Sequence, residues 1–180
     1  MKRVLFILCI IFTFSFVSCN DANKTISSSD DDCLVTTNDS ISFEKLNSLI
    51  SKYLETSIGL SLTSNSKVFE SHNLIGTELK HNTIYAYIQS FVQEYKVDNN
   101  KAYSSSGGDF TGIVYLNKDS GEYKVVSHDF PTESSDSKNL FPKELLKKFS
   151  TSSYENIKSK TDWKAKYYFE QNNIEIVENR

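Results

Sequence analysis

Between two turn signals, Lys80-His81-Asn82 and Asp98-Asn99-Asn100, the chain reads TIYAYIQSFVQEYKV, residues 83–97. Successive side chains of a strand point to opposite faces, which puts Ile84, Ala86, Ile88 and Val92 on one side and Tyr85, Tyr87, Phe91 and Tyr95 on the other. A strand apolar on both faces needs cover on both. It is therefore expected at the centre of its sheet, with a helix against at least one face.

The flanking sequence supplies neighbours and cover. Residues 67–78 read as a strand ahead of the first turn. Residues 110–116 and 123–130 read as two more, joined by a hairpin turn at Asp119-Ser120-Gly121. Upstream, Ser42 can cap a helix in which Glu44 favours the positive end of the dipole. Phe43, Leu46, Leu49, Ile50, Tyr53 and Leu54 form its apolar stripe, and Gly59 is its expected stop. Downstream, Pro142 suits a first helical turn followed by Leu145, Leu146 and Phe149. A second helical segment runs from about Ser153 to Gln171, with Tyr154, Ile157, Thr161, Ala165 and Tyr168 at helical spacing. Helices segregated from strands predict an α+β fold: an N-terminal helix, an antiparallel sheet of about four strands, and C-terminal helices. The single domain is expected over residues 41–174, with a tail at 175–180.

The N-terminal region is of another kind. Lys2 and Arg3 precede an uncharged run from Val4 to Val17, in the order of a secretory signal. That run is shorter than the ~20 residues of a membrane-spanning helix. Phe16-Val17-Ser18-Cys19 resembles the lipobox of bacterial lipoproteins, with Phe16 where leucine is usual. The resemblance implies removal of residues 1–18 and a diacylglyceryl group on the Cys19 thiol. Each buried CH₂ of such chains contributes about 0.8 kcal/mol, so two or more anchor stably. Residues 19–40, rich in Ser, Asp, Asn and Thr, read as a disordered tether with a root-mean-square reach of roughly 25 Å.

Removing 18 of the 180 residues leaves 162, enough for one domain with a core. Losing Lys2 and Arg3 leaves 18 basic against 23 acidic residues, a net of −5. Such a surface argues against nucleic-acid binding through phosphate contacts. Of three cysteines, Cys9 lies in the signal and Cys19 takes the lipid. Cys33 remains alone, and one thiol closes no internal disulfide.

Motifs that carry chemistry are sparse. Gly107-Gly108-Asp109-Phe110 resembles the signature of cyclic-dinucleotide synthases, whose cytoplasmic GTP and Mg²⁺ a secreted chain would not meet. It reads instead as a glycine-permitted loop before a strand. His72, His81 and His128 lack the spacing of a zinc helix. His72 and His128 could meet across the sheet and, with Glu70 or Asp129, form a metal or proton site. No cofactor is expected. Tyr85, Tyr87 and Tyr95, near Gln89 and Gln93, could line a ligand slot on one sheet face if it is open. The competing expectation is that a terminal helix bearing Trp163, Tyr167 and Tyr168 covers that face. Lys143, Lys147, Lys148, Lys158, Lys160, Lys164 and Lys166 make the last third basic, which reads as a solvated helix face or, alternatively, as a surface for anionic wall polymer or lipid head groups.

The segments HNLIGTE (72–78), IYAYI (84–88), EYKV (94–97), SGG (106–108), GEYKVV (121–126) and FPKEL (141–145) together resemble an uncharacterised extracytoplasmic domain of Gram-positive bacteria. It occurs in small lipoproteins and appended to membrane metallopeptidases resembling β-lactam sensors. His128-Asp129-Phe130-Pro131 matches its usual acidic-Pro turn in part. The resemblance implies a sensory or accessory role at the cell envelope and brings no catalytic residue with it. The expected function is a lipid-anchored extracytoplasmic protein with a non-catalytic domain for an envelope protein partner. The alternative is a small-ligand sensor using the aromatic face.

Overall fold

The computed structural model describes residues 41–58, 65–132, 139–148 and 151–177. The expected signal segment, Cys19, Cys33, Gly59 and Phe149 lie outside them. Helix α1 spans Phe43–Ser57 and is followed by strands β1 (Ser66–Lys80), β2 (Thr83–Asp98), β3 (Lys101–Asp119) and β4 (Glu122–Asp129). A short helix α2 (Lys143–Leu146), a long helix α3 (Thr151–Gln171) and strand β5 (Glu175–Val177) complete the chain order. The fold is α+β. Strands β1 to β4 form an antiparallel meander in sequence order, and β5 pairs in parallel with the start of β3. Residues 175–177, expected as tail, thus belong to the sheet.

Three two-residue turns set the meander. His81 and Asn82 have φ of 48° and 67°, Asn99 and Asn100 49° and 58°, and Ser120 and Gly121 52° and 91°. Positive φ at both central residues gives the turn whose twist matches the flanking strands. Asn and Gly accept that region at low cost, which explains why these pairs are legible in the sequence.

The stretch Ser104–Asp109, expected as a loop, is strand. The turn at Asn99-Asn100 starts β3 at once, and pairing with β2 carries it through a bulge at Glu94/Tyr95 to Asn117. Its glycines are not there for unusual dihedrals. A Cβ on Gly107 would lie 2.6 Å from Gln93 Oε1 and 2.8 Å from the Val92 carbonyl, so the residue serves close approach to β2.

Both faces of β2 are covered. On one, Leu46, Ile50 and Leu54 of α1 pack on Ile84, Ala86, Ile88, Val92, Val114 and Leu116. Full burial of each such aliphatic side chain contributes about 1.5–3 kcal/mol. Ser42 caps α1 by accepting from the Lys45 amide at 3.2 Å. Phe43, expected in the stripe, is instead 51% exposed, because it lies in the first turn beyond the sheet-facing residues. On the other face, Phe141 and Leu145 cover Tyr87 and Ile113, while Ala165 and Phe169 of α3 cover Tyr95 and Ala102. The buried stripe of α3 is Ile157, Thr161, Ala165 and Phe169, every fourth residue. The terminal helix thus covers the face at Tyr95, with Tyr168 packed on that cluster. Trp163 and Tyr167, expected to take part in the cover, instead point outward, being two residues away from the buried stripe.

Candidate functional site

Strand β1 forms one edge of the sheet, with α1 on one face and α3 on the other. Up to Leu74 its even-numbered residues face α1, which turns Glu70 and His72 inward beside Val68 and Leu74. Glu70 is 1% exposed. Its Oε2 accepts from His72 Nδ1 at 2.9 Å, and Ser51 of α1 adds a hydrogen bond. His72 Nε2 lies 2.9 Å from Asn47 Oδ1, while Asn47 Nδ2 donates to the Phe43 carbonyl at 2.9 Å. That second bond orients the amide, so both ring nitrogens of His72 face oxygen acceptors. Lys164 reaches around the edge from α3. Its Nζ donates to the Glu70 carbonyl at 2.6 Å and lies 3.5 Å from Oε1.

The electrostatics follow from this cage. Burial alone pushes the Glu70 carboxyl up, but the His72 bond and charge, Ser51 and Lys164 together bring it below its ordinary value. Nearby Glu55 moves the other way, raised by burial and by the Glu70 charge, with Lys164 opposing.

Two members of the cluster, Asn47 and His72, line a cleft of about 490 Å³ together with Phe43, Asn73, Leu74, Ile75 and Lys148. Ile75 faces the opposite side by strand alternation and packs with Phe141 and Leu145, and the bulge between Leu74 and Gly76 brings Gly76 to that side as well, against Leu145. Lys148 Nζ donates to the Ile75 carbonyl at 3.3 Å and brings positive charge to the rim. The arrangement suits binding: an aromatic ring, amides and an ammonium around a shallow hollow. It is less suited to proton transfer, since both His72 nitrogens are already engaged.

The other residues singled out in the sequence are not brought together. His128 sits on β4 at the far edge, about 14 Å from β1 across three strand spacings. It bonds Tyr53 Oη at 2.6 Å and stacks on Phe130. His72 and His128, which could have met across the sheet, are therefore separately hydrogen-bonded. No group of three or more His, Cys, Asp or Glu residues gathers for a metal among the described residues.

Nor do Tyr85, Tyr87 and Tyr95 form one open slot. Tyr87 is 2% exposed, donates to Glu78 Oε2 at 2.9 Å and meets Phe141. Tyr95 is 7% exposed and lies against Phe69 and Phe169. Burial raises both phenols above their ordinary value, with the Glu78 bond adding to the effect at Tyr87. Tyr85, half-buried, packs edge-on against Tyr115 beneath Lys80. Eight residues separate Tyr87 from Tyr95, about 26 Å along the strand.

Sequence reasoning missed Asn47 and Ser51, and saw Lys148 and Lys164 only as part of a basic stretch. A signal existed for the first two: they stand four apart on α1, beside the Leu46–Ile50–Leu54 stripe, as a polar flank able to face a polar pair on β1. It also missed Glu94, fully buried on β2 and bonded by Ser105 Oγ at 3.0 Å and Ser106 Oγ at 2.8 Å. Its carboxyl is held below the ordinary value by a Ser66 bond first, against burial, with the other two serines and Lys96 assisting.

Searches against family models, curated proteins and solved structures returned no match for this chain. No described helix is long and apolar enough to cross a membrane.

Proposed function

We propose that this chain is a lipid-anchored extracytoplasmic protein whose α+β domain is a non-catalytic binding or accessory module of the cell envelope. The observation that carries the proposal is the junction at Cys19. Two basic residues, an uncharged run and Phe16-Val17-Ser18 precede a thiol, and polar sequence follows it. The pattern of residues 43–169, which resembles an extracytoplasmic Gram-positive domain, is read in the same sense. The non-catalytic part of the reading draws support from His72, whose two nitrogens are spent on Glu70 and Asn47.

Incorporation of labelled palmitate in cells tests the anchor. Wild-type protein is expected to take the label and Cys19→Ala to lose it, and equal labelling of both would refute the proposal. Crosslinking in intact cells then asks which envelope protein lies against the domain.

The alternative of a small-ligand sensor no longer rests on the aromatic face, where Tyr87 and Tyr95 are buried and Tyr85 is half-buried. One observation keeps it alive at another place: a shallow, open cleft lined by Asn47, His72 and Lys148. Ligand-dependent protection of Lys148 from amine-reactive labelling would favour it.

A further inference from the structure

Helix α3 carries the largest uncovered aromatic pair among the described residues. Trp163 is 64% exposed and Tyr167 is 54% exposed. Four residues apart, they stack with centroids 5.4 Å apart and planes at 14°, so they present one flat ridge. The buried stripe of the same helix faces the sheet through Ala165 and Phe169, which directs the ridge away from the domain. Lys160 and Lys166 flank it, one on each side by helical geometry. Residues 158–170 hold four lysines against Asp162 and Glu170, a local +2 on a chain of net −3. Of these, Lys164 turns to Glu70 and Lys166 lies 3.9 Å from Glu170.

From this we infer that the Trp163–Tyr167 ridge docks on an anionic phospholipid surface and lays the domain against the membrane that anchors it. Trp and Tyr favour the headgroup level because each has an apolar body and a polar tip, and flanking lysines supply attraction to anionic lipid. An overall acidic protein that gathers positive charge beside exposed aromatics is complementary to such a surface at that one place. The inference rests on the proposed anchor in one respect. The 21 residues from Asn20 to Ser40 span at most about 70 Å when extended, so an anchored domain never leaves the vicinity of the bilayer. Linkers of such length give effective concentrations on the order of millimolar, and a weak intrinsic contact is then sufficient.

Trp163 is the only tryptophan in the chain, so its fluorescence reports on this ridge alone. Full-length protein is reconstituted with phosphatidylcholine vesicles and with vesicles containing phosphatidylglycerol. With the anionic vesicles, Trp163 emission is expected to shift to the blue, resist acrylamide and be quenched by brominated acyl chains, and added salt reverses all three. Lys160→Glu/Lys166→Glu is expected to weaken docking about tenfold or more, while the chain stays vesicle-bound through its lipid. Identical emission on neutral and anionic vesicles overturns the inference, as does a shift produced by soluble wall polysaccharide in place of lipid. Flotation with neutral vesicles reads the anchor separately. A Cys19→Ala chain mixed with anionic vesicles reads the ridge whether or not the anchor exists.

Discussion

His72 Nδ1 meets Glu70 Oε2 at 2.9 Å inside the domain, with the carboxylate 1% exposed. Through this pair α1, β1 and α3 are joined, since Asn47 and Ser51 bond it from one side and Lys164 from the other. Removing the buried carboxylate leaves the donors of His72 and Ser51 and the Lys164 ammonium uncompensated. Glu70→Ala is expected to cost about 3–5 kcal/mol in urea unfolding. Lys164→Met, at a half-exposed position, is expected to cost about 1 kcal/mol or less.

Acid sensitivity follows from the direction of the carboxyl shifts. Glu70 and Glu94 are both held below 4.5 in the folded state, so the unfolded chain binds their protons first. The stability they contribute is complete above the unfolded value and disappears as pH falls through the lower folded values. Unfolding free energies measured from pH 7 down to pH 3 are expected to fall steeply below about pH 5. Glu94→Gln is expected to flatten that limb, and an unchanged slope would show that Glu94 is not held down by its serines.

Tyr95 distinguishes packing from recognition. Lying against Phe69 and Phe169, it acts through its ring. Tyr95→Ala is expected to lose about 3–5 kcal/mol and Tyr95→Phe less than about 1.5 kcal/mol. A large loss for the phenylalanine variant in thermal unfolding would assign the hydroxyl a role that this packing does not give it.

Two glycines of β3 give opposite expectations. A Cβ on Gly112 would fall 2.0 Å from the Asp129 carbonyl, so β4 must move to admit it. On Gly108 it would meet nothing within 4 Å. Gly112→Ala is expected to destabilise by about 1–3 kcal/mol or more, and Gly108→Ala to stay within about 1 kcal/mol of wild type. Melting temperatures of the two variants side by side would reveal a wrong register between β3 and β4.

Local rules wrote much of this fold in readable form. The pairs at 81–82, 99–100 and 120–121 announced turns because positive φ is a property of the single residue. The two-faced alternation of β2 announced a central strand because its period is fixed by the backbone. What covers the tyrosines is a different matter. Phe141 and Phe169 do so from far along the chain, and Trp163 and Tyr167 do not, because the rotation of α3 about its axis is set by which stripe packs best. The strand character of Ser104–Asp109 was hidden for the same reason: its residues have poor strand propensity alone and are held by pairing to β2. The Glu70–His72–Asn47–Lys164 cluster was half visible, as a carboxylate and an imidazole two apart on one strand. Its other half came from two helices on opposite sides of the sheet, and only packing in three dimensions places those atoms within hydrogen-bond reach.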